Sequence, residues 1–238
     1  MYSEELSEIY DRIYRGRGKD YATESSRVVD MIRKRYPGAW SLLDVACGTG
    51  SHLDYFAKEF EYVEGVEGSS GMISQAKDKL PGTKVTKADM MNFDLGRKFS
   101  AVACMFAIPH LSSVEELNAA VRCFAQHLET GGVLVVEPWR SPDNFTPGYV
   151  AGDVVREGEY TIARVSHSES EGRTVSMQVH YVVAAPRTGA RHFEETHSLT
   201  LFTRNEYEEA FRLAGCEPEH VAADPWECGM FVGVRRGD

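Results

Sequence analysis

Apolar positions along this chain follow two periodicities, and the change from one to the other divides it. Between Ser41 and Glu137, short apolar runs alternate with stretches of helical spacing. The runs Leu42 to Ala46, Tyr62 to Glu67, Lys84 to Lys87, Ala101 to Phe106 and Val133 to Glu137 predict strands. Helical spacing predicts helices over His52 to Glu59, Ser70 to Leu80 and Val114 to Leu128, the last stopped by Gly131-Gly132. Continuous apolar strands separated by helices predict a parallel sheet covered on both faces, a doubly wound α/β core.

After Trp139 the period becomes two. In Arg173 to Ala184, residues Val175, Met177, Val179, Tyr181 and Val183 share one face while Thr174, Ser176, Gln178 and His180 share the other. That alternation predicts an antiparallel strand with one covered face, with Tyr160 to Ser168 and His192 to Phe202 as its neighbours. A last helix is expected over Thr203 to Ala214 and a short closing strand over Met230 to Val234. At the other end, Leu6, Ile9, Tyr10, Ile13 and Tyr14 stripe one helix, and Val28, Val29 and Ile32 stripe a second that ends at Pro37-Gly38. Three parts are therefore expected: 1–139, lid helices and α/β core; 140–198, an antiparallel insertion laid over its mouth; and 199–238, completing the core sheet.

Charge narrows the partners. Thirty-six acids against 26 Lys and Arg leave a net charge of −10, which repels phosphate backbones and anionic lipid, so nucleic acid and membrane are excluded. No apolar run approaches the roughly 18 residues that span a bilayer, and Met1 to Arg17 has no secretion-signal core, so a cytoplasmic protein is expected. Five scattered cysteines without a CxxC pair fit reduced thiols.

The chemistry starts at Leu42-Leu43-Asp44-Val45-Ala46-Cys47-Gly48-Thr49-Gly50, a buried strand running into a glycine turn before a helix. Glycines there let backbone approach a ligand at a helix N-terminus, where amide donors gather. A nicotinamide or flavin fold uses the same device but wants a third small residue where this chain has Leu53. Glu67 closes the second strand, placed to accept the two hydroxyls of a ribose. Ala88-Asp89-Met90 follows the third, offering a carboxylate to an adenine amino group and a thioether to its ring.

Together these residues resemble the Rossmann-like class I S-adenosylmethionine-dependent methyltransferases. A wider set resembles the N,N-dimethyltransferases that act on nucleotide-linked amino sugars in bacterial antibiotic pathways: Tyr10-Asp11, Gly16 to Tyr21, Ser41 to Gly50, Leu95 to Ala101, Val135 to Trp139, Ala163 to Ser168 and Leu201-Phe202. The resemblance implies methyl transfer, twice, to an amine of a deoxysugar carried on thymidine diphosphate. It implies that Tyr10, Arg17, Ala46, Gly48, Glu67, Asp89, Met90 and Met105 hold S-adenosylmethionine, Arg17 at its carboxylate, and that the protein is a homodimer. It places His110 beside the reacting nitrogen, with hydroxyls from Tyr2, Tyr10 and Tyr14 in the same space. Trp139, Tyr149, Arg164 and Ser166 are the remaining candidates to face the substrate.

Two stretches depart from the family pattern. Phe106-Ala107-Ile108-Pro109-His110 is one residue short, and Asp224-Pro225-Trp226-Glu227-Cys228-Gly229 stands where relatives carry an Arg suited to a phosphate. The acids of the second stretch are expected to repel a diphosphate, which leaves another amino-sugar carrier open. His167, His180, His192 and His197 lack metal-ligand spacing and are expected to scatter across faces, so no metal site is expected. The competing readings are methyl transfer to an oxygen or carbon of another small metabolite, and a non-catalytic protein that binds adenosyl ligands.

Overall fold

The five apolar runs of the first half become five parallel strands. In the computed structural model, which describes residues 3–237, the elements run α1 (Glu4–Gly16), α2 (Tyr21–Arg35), β1 (Ser41–Val45), α3 (Ser51–Glu59), β2 (Tyr62–Glu67), α4 (Ser70–Lys79), β3 (Lys84–Lys87) and β4 (Phe99–Cys104). A 3-10 turn (Ile108–His110), α5 (Val114–Gln126) and β5 (Leu128–Val136) follow. Then come β6 (Tyr149–Glu157), β7 (Tyr160–Glu171), β8 (Thr174–Ala185), β9 (Gly189–Thr200), α6 (Arg204–Leu213), β10 (Cys216–Ala223) and β11 (Trp226–Arg235). The main sheet has the order β10-β11-β5-β4-β1-β2-β3, with β11 antiparallel to β5 and β10 antiparallel to β11.

Both faces of that sheet are buried, as continuous apolar strands require. Leu43, Val102 and Leu134 point into a cluster with Leu117, Phe124 and Phe211 of α5 and α6. Leu42, Ala101 and Val133 point the other way, against Val28 and Ile32 of α2 and Phe56 of α3. The chain therefore matches the expected class I methyltransferase architecture, with β6-β7-β8-β9 as a separate antiparallel sheet.

Helix α1 does not join the core. Its stripe of Leu6, Ile9 and Ile13 is buried against Ile162, Val179, Tyr181 and Val183 on the inner face of the second sheet. Each such side chain removed from water contributes about 1.5–3 kcal/mol, so helix and sheet hold together as one cover. Arg15 to Glu157 at 2.8 Å and Arg17 to Asp153 at 2.8 Å fasten the end of α1 to β6. Gly16 permits this approach, since a Cβ there would lie 2.2 Å from Val155.

Several expectations need correction. Gly131-Gly132 does not stop α5; the helix ends at Gln126, where His127 turns the chain and its Nδ1 meets the carbonyl of Cys123 at 2.8 Å. The glycines instead sit inside β5, where the register against β4 shifts between Phe99 and Ala101. The closing strand is longer than Met230 to Val234 and hairpins with β10. Strands β6 and β10, both edges, escape the periodicity for their own reasons: β6 exposes valines that a core strand would bury, and β10 carries Pro218 between two glutamates.

Candidate functional site

Strand order reverses at β1: β2 and β3 extend one way, and the chain then crosses back to place β4 on the other side of β1. A crevice opens where connections diverge, outside the carboxyl ends of those strands. Ala46 after β1 and Phe106 after β4 both have φ of 56°, and among the described residues they are the two non-glycine positions with positive φ. Such backbone costs of order 1–3 kcal/mol per residue and persists where surrounding structure imposes it, typically at sites that bind or react.

A chamber of about 760 Å³ opens at this crevice. Its floor is Ala46, Gly48 and Glu67, its far wall Ala88, Asp89, Met90 and Met105, and its roof Tyr10 of α1 with Glu195 to Ser198 of β9. Glu67 is fixed before any ligand meets it: Oε2 accepts from the amide of Gly48 at 2.9 Å and Oε1 from that of Ser69 at 2.7 Å. Asp89 likewise accepts from the amide of Met91 at 2.9 Å. No protein atom lies within 4 Å of where a Gly48 Cβ would stand, so the turn faces open space.

Beside Gly48 a recess of about 40 Å³ runs down to Asp44, lined also by Lys19, Tyr21 and His52. Asp44 is 1% exposed and neither of its carboxylate oxygens has a protein partner. Burial, with Glu67 nearby, drives its carboxyl well above the usual range. A buried acid without partners is costly and marks a place where a cation or a donor is to be met. At the rim, Lys19 is 2.8 Å from Glu24, which holds His52 Nε2 at 2.7 Å.

A second chamber, of about 390 Å³, lies between α1, the inner face of β6 to β9, and the segment after β5. Tyr10, Phe106, His110 and His197 border both chambers, so they form the junction. His110 presents its ring to the cavity, yet enough protein surrounds it to push its pKa down to about 4, burial being the main cause and His197 the next. It is neutral at pH 7. Three arginines line the second chamber, Arg17, Arg140 and Arg164, and among the described residues no Asp or Glu does. Arg17 pairs with Asp153 and Arg140 with Glu227 at 2.7 Å. Arg164 is 8% exposed and is held by neutral partners, donating to Ser166 Oγ at 2.9 Å and reaching Met177 Sδ at 3.7 Å.

The structure thus gathers Tyr10, Ala46, Gly48, Glu67, Asp89, Met90 and Met105 at the first chamber, and Tyr14, Trp139, Tyr149, Arg164 and Ser166 at the second. Arg17, expected at the cofactor carboxylate, pairs with Asp153 of β6 and lines the second chamber, while the cation lining the recess beside Gly48 is Lys19, itself paired with Glu24. Tyr2 lies outside the described residues. Glu227, expected to repel a diphosphate, faces Arg140 instead.

Comparison with known proteins carries these observations to a family. Residues 42–132 match the model of a methyltransferase domain. Over 98% of its length the chain is 51% identical to the dTDP-3-amino-3,4,6-trideoxy-alpha-D-glucopyranose N,N-dimethyltransferase of Streptomyces venezuelae, of which it covers 99%. The chain belongs to the sugar N,N-dimethyltransferases. The dTDP-3-amino-3,6-dideoxy-alpha-D-glucopyranose N,N-dimethyltransferase of Streptomyces fradiae is 48% identical to it over 98% of the chain and 92% of the relative. The structure of the amino pentose methyltransferase CalS10 from Micromonospora echinaspora, solved with S-adenosylmethionine bound, superposes with a TM-score of 0.88 at 46% identity, covering 95% of this chain and 96% of that one.

The enzyme therefore uses S-adenosylmethionine as methyl donor, and its first chamber suits that molecule. The orphaned oxygens of Asp44 answer an α-ammonium, Lys19 a carboxylate, and the open side of Gly48 a close approach of backbone to ligand.

The histidines are also rearranged relative to expectation. His180 and His192 do not scatter; they share the outer face of β8 and β9 as diagonal neighbours, rings stacked at 5.3 Å. His197 was set aside with them, yet it borders both chambers. The signal was in the alternation: Phe193, Glu195, His197 and Leu199 have the parity of the covered face of β9.

Proposed function

We propose that this enzyme transfers methyl groups from S-adenosylmethionine, in two successive steps, to the amino group of a deoxysugar carried on a nucleoside diphosphate. The observation that carries the acceptor class is the positive charge left over in the second chamber: Arg17 and Arg140 are paired with Asp153 and Glu227, but the buried Arg164 is held by neutral partners, in a chain of net charge −10. A diphosphate answers that excess, with the buried Arg164 and the hydroxyls of Ser166 and Ser168 as its seat. The sugar then lies toward Tyr14, Phe106 and His110, and Trp139 and Tyr149 flank the handle.

S-adenosylmethionine supplies a methyl carbon already activated on a sulfonium, so the protein's part is alignment, exclusion of water and presentation of a neutral amine. Asp44 and Lys19 hold the amino-acid end, Glu67 the ribose, and Asp89 with Met90 and Met105 the adenine. His110, neutral through the whole physiological range, accepts a hydrogen bond from the acceptor amine and orients its lone pair. Its low basicity favours nitrogen over oxygen as acceptor, because a hydroxyl would need a stronger base or a metal.

Residues 140–198 are the acceptor-covering unit of this reading. Two copies of the enzyme meet through the outer face of that sheet, where Val150, Val154, Val165 and Val182 are 64%, 68%, 52% and 45% exposed on adjoining strands. The five thiols, none of them in a disulfide, fit the reducing cytoplasm in which nucleotide sugars are made.

The test is mass spectrometry of the enzyme with S-adenosylmethionine and a panel of nucleotide-linked amino sugars, their hydroxyl analogues and finished glycosides. Gains of one and two methyl masses on the nucleotide-linked amines are expected; gain only on hydroxyl analogues or glycosides would replace the reading. Sedimentation of the enzyme and of Val154→Lys checks the dimer.

A further inference from the structure

Two imidazoles border the junction of the chambers, and the second, His197, has a carboxylate behind it. The rings of His110 and His197 meet edge to face with centroids 6.1 Å apart. Nε2 of His197 is 3.6 Å from Oε2 of Glu195, the preceding inward residue of β9. The other oxygen of Glu195 accepts from the amide of Ser3 at 3.0 Å and from the Ser3 hydroxyl. Ser3 is the N-cap of α1, its hydroxyl accepting from Leu6 N at 3.1 Å. The carboxylate is therefore anchored by the lid helix beside the imidazole, and both residues line the first chamber.

Double methylation of one nitrogen sets a proton problem, granting the amine acceptor of the reading above. A neutral amine leaves the first transfer as R–NH₂⁺–CH₃, and this ammonium has no lone pair to offer a second methyl. We propose that His197, backed by Glu195, takes the proton that separates the first methylation from the second. The N–H bond breaks, its electron pair stays on nitrogen, the proton binds the imidazole, and the carboxylate of Glu195 balances the imidazolium. The proton passes to water when the cover opens.

His110 and His197 differ in what surrounds them. Burial lowers the pKa of both; at His197 Glu195 opposes that without reversing it, whereas at His110 the neighbouring imidazole adds to it. Arg164, on β7 one strand beyond β8, is among the cations that bear on His197 and oppose its protonation. The assignment makes His197 the base of the pair and His110 the orienting group.

His197→Gln and Glu195→Gln are each incubated with S-adenosylmethionine and a nucleotide-linked amino sugar, and unmethylated, monomethyl and dimethyl products are followed in time by mass spectrometry. The second transfer is expected to slow at least about tenfold more than the first, so the monomethyl product accumulates. Supplying the monomethyl sugar at pH 9, where solution provides more of the free amine, is expected to restore much of the second rate. An unchanged ratio of the two rates, equal slowing of both, or no recovery at high pH overturns the role. Failure of the unaltered enzyme to methylate any amino sugar would instead remove the acceptor reading. Calorimetric cofactor binding reports whether each variant is folded; if His197→Gln is not, Glu195→Gln carries the test.

Discussion

Thr49 donates its hydroxyl to Oδ1 of Asp11 at 2.5 Å, tying the lid helix to the glycine turn. Ser51 donates to the same oxygen at 3.0 Å, and Lys79 from the end of α4 reaches Oδ2 at 2.6 Å. The opposite side of α1 is buried in the second sheet. One helix thus couples the loop that receives the cofactor to the cover that encloses the acceptor, with the Asp11 carboxylate as the latch.

Asp11→Asn keeps the shape of the latch and removes the charge that holds Lys79. Losing a charge-assisted contact of this kind costs about 1.5–3 kcal/mol, so the cofactor dissociation constant is expected to rise about tenfold or more, with a parallel rise in the acceptor KM. Calorimetry and initial rates read the two effects. A change in acceptor KM alone would show that α1 covers the sugar without bearing on the glycine turn.

Lys19 and Arg17 are two residues apart; Lys19 lines the recess beside Gly48 and Arg17 the second chamber. Lys19→Met is expected to weaken cofactor binding about tenfold, and Arg17→Met to leave it nearly unchanged while raising the acceptor KM. The reverse pattern in the same two titrations would return the cofactor carboxylate to Arg17.

Arg164→Met preserves the bulk of a buried side chain and deletes its charge. The KM of a diphosphate-linked acceptor is expected to rise by about 10- to 100-fold, the equivalent of one lost charged hydrogen bond or two, with cofactor affinity unchanged. An uncharged amino-sugar glycoside used as a poor acceptor should be unaffected. If both acceptors suffer equally, Arg164 supports the sheet and does not seat the phosphates.

Glu137, at the end of β5, is buried with Oε2 unpartnered, and desolvation raises its pKa to about 7 from a usual 4.5. Between those values the folded chain holds a proton that the unfolded chain has released, so this group's contribution to stability falls as pH rises from 4.5 to 7 and is at its worst above 7. Glu137→Gln is expected to be more stable than the parent at pH 8 by on the order of 2–3 kcal/mol, and equal to it near pH 4. Urea unfolding at the two pH values checks the sign; a variant less stable at pH 8 would mean the carboxylate has a partner when charged.

Much of the molecule could be read without coordinates because the signals were local. Strands β1, β4 and the end of β5 announce themselves as apolar runs buried on both faces, and the turn at Ala46 to Gly50 needs glycines wherever it occurs. The acids Glu67 and Asp89 follow from standing at strand ends beside that turn. Strands β6 and β10 are illegible for an equally physical reason: β6 exposes Val150 and Val154, and β10 carries Pro218 between two glutamates, so neither shows a clean period.

From its residues alone this chain declared a doubly wound core, an antiparallel cover and a glycine turn flanked by acids, since periodicity and turn chemistry depend on neighbours a few positions away. Only the folded chain decided that Arg17 turns to Asp153 and leaves the recess to Lys19, that Glu227 faces Arg140, and that His197 stands beside His110 at the junction. Those choices rest on charges and packing brought from distant parts of the chain, where ion pairs worth up to about 1 kcal/mol each act together with the burial of neighbouring side chains.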